Sequence, residues 1–222
     1  MKTKYLYGTI IAIITFISFS CSKMNDLHQE YLDEGEIIYA AKVDSVAPHA
    51  GNKRIQLEMF IVSQRIEKLR IFWNDKNDSS DVEVANQVGT KTILLDNLME
   101  KSYIFQLVSF DKFGNPSLPY EVTGKVYGPN FQSTLTNRVI KSKTPVVAGK
   151  TTITWSGTVD KGVRCDLTYV NLNDITVDRK VPMSELSTVI TDFKSDMKYR
   201  TLFLPEPTAI DTFYTDYKSV VF

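Results

Sequence analysis

The chain has 222 residues, with 26 basic and 26 acidic side chains, 43% apolar residues, 11% aromatic residues and two cysteines. The balanced charge leaves no basic field to hold nucleic acid through its phosphates, which excludes that class of partner. The apolar content is ample for packed cores in one or two domains, and the Tyr and Phe content favours β structure.

The first element in chain order is a leader. Lys2 and Lys4 are followed by an apolar run from Ile10 to Phe19, broken by Thr15 and Ser18, and then by Ser18-Phe19-Ser20 and Cys21. Basic, apolar, small is the order of a secretory signal. The apolar core is roughly ten residues, whereas a spanning helix needs about 20. This order predicts a lipoprotein signal over residues 1–20, cut before Cys21, with lipid such as palmitate on the Cys21 sulfur. A plain secretory signal with an incidental cysteine is the other reading. Ser18 stands where such signals usually carry Leu. Two cysteines could close one disulfide in an exported chain, but Cys21 sits at the mouth of the signal. Cys165 lies in the alternating stretch GVRCDLTYV, where a thiol acts as a small hydrophobe. Without Lys2 and Lys4 the chain keeps 24 basic and 26 acidic residues. The expected location is the outer membrane, lipid-anchored and surface-exposed, with residues 21–35 as a polar tether.

From residue 36 the texture changes to short β-rich segments: EIIYAAKVDSV, RIQLEMFIV, EKLRIFWND, TKTILLDNL, SYIFQLVSFD and YEVTGKVYG, with turn signals such as HAGNK, NDKNDSS and DKFGNPS among them. Six or seven short strands at this spacing predict a β-sandwich over 36–128. Tyr103, Phe105 and Leu107 share strand parity and so one face. Tyr103 follows Leu98 by five residues and stands where an immunoglobulin-like sandwich has its tyrosine corner. The Gly-Pro break and polar composition of 129–140 predict a linker. Residues 141–222 repeat the theme, with KTTITWSGT carrying a core Trp155, then GVRCDLTYVN, ITVDRKVP and STVITDFKSDMKYRTLFLP. Phe193 to Tyr199 is the six-residue spacing expected of a corner. The fold class expected is all-β: two tandem immunoglobulin/fibronectin III-like sandwiches.

The stretches YLDEGEIIYAAKVDSV, GNKRIQLEMF, KLRIFWND, YIFQLVSFDKFGNPS and VYGPNFQSTLTNR, in that order over about 31–138, resemble the Bacteroides-group lipoprotein family called domain of unknown function 4998. Ala40-Ala41 and Met59 depart from its pattern, which favours a Pro- or Gly-containing turn and a Trp at those places. The resemblance implies a surface-exposed, fibronectin-like lipoprotein, often encoded near glycan-uptake machinery. It brings no catalytic residues.

Chemistry is sparse. His28 falls in the tether and His49 in a turn, and neither has partners at zinc-ligand spacing. Cys165 and Asp166 are adjacent strand residues that face opposite sides, without a nearby His. There is no G-x-S-x-G elbow and no phosphate loop, so no cofactor and no enzyme activity are expected. In NDKNDSSD, the carboxylates Asp75, Asp78 and Asp81 suit either an Asx-rich turn or calcium. Asp44-Ser45-Val46 matches a short O-glycosylation pattern or a plain turn. In LPEPTAIDTFYTDY, Glu206, Asp211 and Tyr214 combine acceptors for hydroxyls with a flat aromatic face. They are the candidate rim for a glycan, or else part of a structural hairpin in which Phe213 and Tyr217 point inward. The functional expectation is a non-catalytic binding or scaffolding lipoprotein that engages glycan or surface-uptake proteins. The alternative is a structural or adhesive module with protein partners, and a hydrolase is the third reading.

Overall fold

The computed structural model describes residues 38–85 and 87–222. The expected signal 1–20, Cys21 and the tether 21–35 with His28 lie outside the described residues.

Alternation along the chain builds the first sandwich. In β2 (Ile55–Ile61), Ile55, Leu57, Met59 and Ile61 are buried while Glu58 and Phe60 face out. In β6 (Ser102–Asp111) the inward set is Tyr103, Phe105, Leu107 and Ser109. A three-stranded sheet has the order β1 (Ser45–Ala50), β2, β5 (Gly89–Leu95). It faces a four-stranded sheet in the order β4 (Asp78–Glu83), β3 (Ile66–Trp73), β6, β7 (Tyr120–Lys125). Ile55, Leu57, Leu69, Ile71 and Phe105 fill the space between them, together with Met59.

The second sandwich repeats this order. One sheet runs β8 (Ile140–Lys143), β9 (Thr151–Trp155), β12 (Ser187–Ile190). The other runs β11 (Thr176–Pro182), β10 (Gly162–Asn171), β13 (Phe193–Phe203), and β13 then pairs with both β14 (Phe213–Tyr214) and β15 (Lys218–Ser219). Strands one, two and five against strands four, three, six and seven, twice over, is the fibronectin III-like arrangement of an all-β chain. Trp155, Cys165, Leu167, Val181 and Tyr199 form its core.

The structure differs from the sequence expectations at several places. Residues 38–44 carry no strand, and β1 starts at Ser45 and runs through His49, so His49 is a strand residue. Asp78 to Asp81, expected within the Asx-rich turn, belong to the edge strand β4, whose polar side chains face solvent while Val82 packs on the core. Residues 129–140, expected as a linker, carry the helix α1 (Pro129–Thr134) and the buried Arg138. Of the two expected corners, the first forms and the second does not. Tyr103 donates to the Met99 carbonyl at 3.1 Å, the bond of a tyrosine corner. Tyr199 lies seven residues into its strand and donates instead to the Arg138 carbonyl at 2.8 Å. Tyr217 faces out, because the register of β13 with β15 is shifted by one residue from its register with β14. Thr215 is buried in its place, donating to Asn137 Oδ1 at 2.7 Å.

Candidate functional site

The expected rim residues come from the loop joining β13 to β14, and they do not converge. Asp211 Oδ1 accepts from Arg54 Nη2 at 2.6 Å, and its Oδ2 accepts from Arg54 Nε and the Asn52 amide at 2.8 Å each. The fork geometry makes this a bidentate, charge-assisted pair. The Arg54 guanidinium holds the Asp211 carboxyl below the usual carboxylate range against the opposing effect of burial. Glu206 Oε1 accepts from the Tyr127 hydroxyl at 3.0 Å. Burial, and then Glu206, push the Tyr127 phenol up to about 12. Tyr214 points away, with the Arg200 guanidinium 3.9 Å from its ring centre and 4.9 Å from that of Tyr217.

Glu206 and Asp211 therefore belong to a junction between the sandwiches. Ala50, Tyr127, Phe203 and Phe213 form a small core of their own, joined by Phe131 and Leu135 from the α1 segment. The Ile210 amide donates to the Ala50 carbonyl at 2.8 Å. Gly51 is required here, because a Cβ would stand 2.7 Å from Asp211 Oδ2. Glu100, in the turn before β6, accepts from the Asn130 and Phe131 amides at 2.7 Å each and so caps α1 from the first sandwich. Sequence reading missed Arg54, Glu100 and Tyr127, whose partners lie 157, about 30 and 79 positions away.

Of the other candidates, Cys165 is buried and free, and burial pushes its thiol pKa up, away from nucleophilic use. In the Asx-rich segment, Asp81 binds Arg70 at 2.5 and 2.7 Å, which holds its carboxyl at about 2. Asp78 accepts from Asn74 at 2.5 Å. Among the described residues, no three His, Cys, Asp or Glu side chains gather to hold a metal ion.

The sequence reading also missed a groove on the outer face of the β4–β3–β6–β7 sheet. Phe72, Gln106 and Glu121 stand side by side across β3, β6 and β7. Gln106 Nε2 donates to Glu121 Oε1 at 2.6 Å. Phe72 shares parity with Arg70 and Lys68, so an aromatic ring on a charged face was the signal that could have found it.

The family model described as a domain of unknown function, DUF4998, matches residues 21–213. It thus extends beyond the 31–138 stretch of resemblance and takes in most of the second sandwich. None of the curated proteins compared with the chain matches it. Among solved structures, the chain is similar to the FN1–FN3 domains of chicken CNTN1, at 13% identity over 82% of this chain and 64% of that one, with a TM-score of 0.44. It is similar to fibronectin(III)-like modules of Clostridium thermocellum CbhA at 14% identity over 80% and 90%, TM-score 0.40. A two-domain fibronectin type III segment of chicken tenascin aligns at 13% identity over 82% and 96%, TM-score 0.29. The chain spans less than two thirds of the CNTN1 structure.

Proposed function

The chain belongs to the DUF4998 family, and we propose that it works as a non-catalytic binding or scaffolding module of the cell surface, tied to the outer membrane by lipid on Cys21. The observation that carries this reading is the junction. The best-placed carboxylates, Glu206, Asp211 and Glu100, are each taken up by donors of the chain itself, even though Asp211 also borders an open recess with Asn52, Lys53 and Asp96. Their chemistry goes into holding two sandwiches in a fixed relation. A prefixed pair of sheets presents surface to a partner without the ordering cost that a hinged pair would meet on binding. The anchor reading rests on the apolar leader that ends directly before Cys21.

A structural or adhesive role with protein partners is the second reading. Val147 and Leu172 favour it, as exposed apolar side chains beside the Ala148–Gly149 turn.

Fractionation tests the anchored-module reading. The wild-type chain is expected in the outer-membrane fraction and open to protease added to intact cells. Cys21→Ala is expected to move to the soluble fraction or to keep its leader. Unchanged membrane association with unchanged gel mobility would overturn it.

A further inference from the structure

The groove on the outer face of the first sandwich has a volume of about 350 Å³, within the usual range of about 300–1,000 Å³ for small-molecule sites. Its apolar surface comes from Phe72, Trp73 and Ile104, the last 61% exposed. Its polar lining is Asp75 and Lys76 from the turn between β3 and β4, with Gln106 and Glu121 from the sheet. The turn is built to stay in place. Asn74, Asp75 and Lys76 all adopt left-handed backbone, with φ of 51°, 54° and 65°. Left-handed backbone at three successive non-glycine residues persists only where the surroundings fix it. Here Lys101 Nζ donates to Asn74 Oδ1 at 2.7 Å, and Asn77 Nδ2 donates to the Asn74 carbonyl at 2.8 Å. On the opposite side, the Gln106 amide holds Glu121 Oε1, which leaves the second carboxylate oxygen of Glu121 for a ligand.

We propose that this groove is a binding subsite for a neutral saccharide, an assignment that rests on the binding-module reading and names its ligand class. The lining selects by complementarity. An anion would be repelled by Asp75 and Glu121, and a cation drawn by those two would be opposed by Lys76. A wholly apolar ligand would strip water from all three charges without replacing their hydrogen bonds. A hydroxyl both donates and accepts, so it satisfies the two carboxylates and the ammonium together. The C–H face of a sugar ring supplies the flat apolar surface that Phe72 and Ile104 accept. Because the turn is already ordered, binding loses little conformational entropy.

Intrinsic fluorescence reads the site. Of the two tryptophans, Trp155 is only 2% exposed in the second core, while Trp73 lines the groove. The full chain, purified in a sugar-free detergent, is titrated with a panel of neutral glucans, mannans, galactans and xylans and their oligosaccharides. The expected result is a saturable emission shift with at least one of them. Phe72→Ala and Asp75→Asn, shown folded by circular dichroism, are expected to bind it about tenfold or more weakly, as for loss of a binding hot spot. Phe72→Ala binding with parental affinity would overturn the assignment. So would silence across the whole panel from a chain that fractionation places at the surface, an outcome that leaves the anchored-module reading standing. A response to an arginine-rich peptide but to no saccharide would also overturn it, and would give the groove to a protein partner.

Discussion

Arg138 shows what one side chain does for the second sandwich. It is 1% exposed, yet the acceptors its guanidinium meets are all backbone carbonyls. Nε donates to Gly157 at 2.6 Å, Nη1 to Glu185 at 3.1 Å and Nη2 to Met183 at 3.0 Å. The guanidinium also lies 5.2 Å from the Trp155 ring centre. These carbonyls belong to the turns after β9 and β11, so the fixed fork of donors ties two turns together. A buried acceptor left without a donor costs about 1–3 kcal/mol. Arg138→Ala orphans the buried Met183 carbonyl, removes the bonds to the part-buried Gly157 and Glu185 carbonyls and uncovers Trp155, so a loss of about 3 kcal/mol is expected. Arg138→Lys is expected to recover little of it, because a compact ammonium cannot span both turns. Urea unfolding measures both variants. A midpoint for Arg138→Ala close to that of the parent would show that water or a neighbour replaces the guanidinium.

At the scale of elements, α1 is a six-residue helix that could not persist alone. Gly128 at its N-cap supplies no side-chain bond, and Glu100 takes that role from the other sandwich. A Cβ at Gly128 would come 3.1 Å from Glu100 Oε2, so the glycine lets this carboxylate sit close over the helix start. Phe131 then seats between Tyr127 and Phe213, with ring centres 4.8 and 5.1 Å away. Loss of an anionic cap costs about 1–2 kcal/mol. Glu100→Ala should therefore let chymotrypsin reach Phe131 and Leu135 well before it cuts elsewhere, whereas the parent resists there. Equal cutting rates in the two would mean that Glu100 does not hold the helix. This element also shows what the sequence makes legible. Alternation is a local signal, and it placed Tyr103, Phe105 and Leu107 inward and Trp155 in the core, as found. The Glu100–α1 and Arg54–Asp211 bonds have no local signal, because their partners meet only after both sandwiches close. The polar edge strand β4 reads as a turn because neither of its faces is apolar throughout. Tyr199 has the spacing of a corner but not its place at the start of a strand, and Tyr217 is displaced by a register break that no spacing rule detects.

Across the whole molecule, Ala40–Phe222 forms one compact unit in which both sandwiches and the junction carry buried phenols. Tyr103 serves the first sandwich, Tyr127 the junction, and Tyr169 and Tyr199 the second. Burial raises the pKa of all four. Tyr127 and Tyr169 reach about 12, burial acting first and the carboxylates of Glu206 and Asp192 adding to it. The sign follows from the proton count. Between the ordinary value of about 10 and the raised folded value, the unfolded chain releases a proton that the folded chain keeps. Stability held by the Tyr127 and Tyr169 phenols is thus fully present below about pH 10 and is lost as pH rises toward 12, at about 1.4 kcal/mol per pH unit for each of the two. Because the junction joins the sandwiches, the loss should appear as one transition rather than two. Urea midpoints taken from pH 8 upward should be flat to about pH 10 and then fall steeply. Tyr127→Phe keeps the ring on Phe131 and Phe213 but removes the hydroxyl that donates to Glu206. That variant should lose one tyrosine's share of the alkaline slope. A parent whose stability stays level well above pH 10, or a slope that Tyr127→Phe leaves unchanged, would show that the junction phenol is already open to solvent in the folded chain.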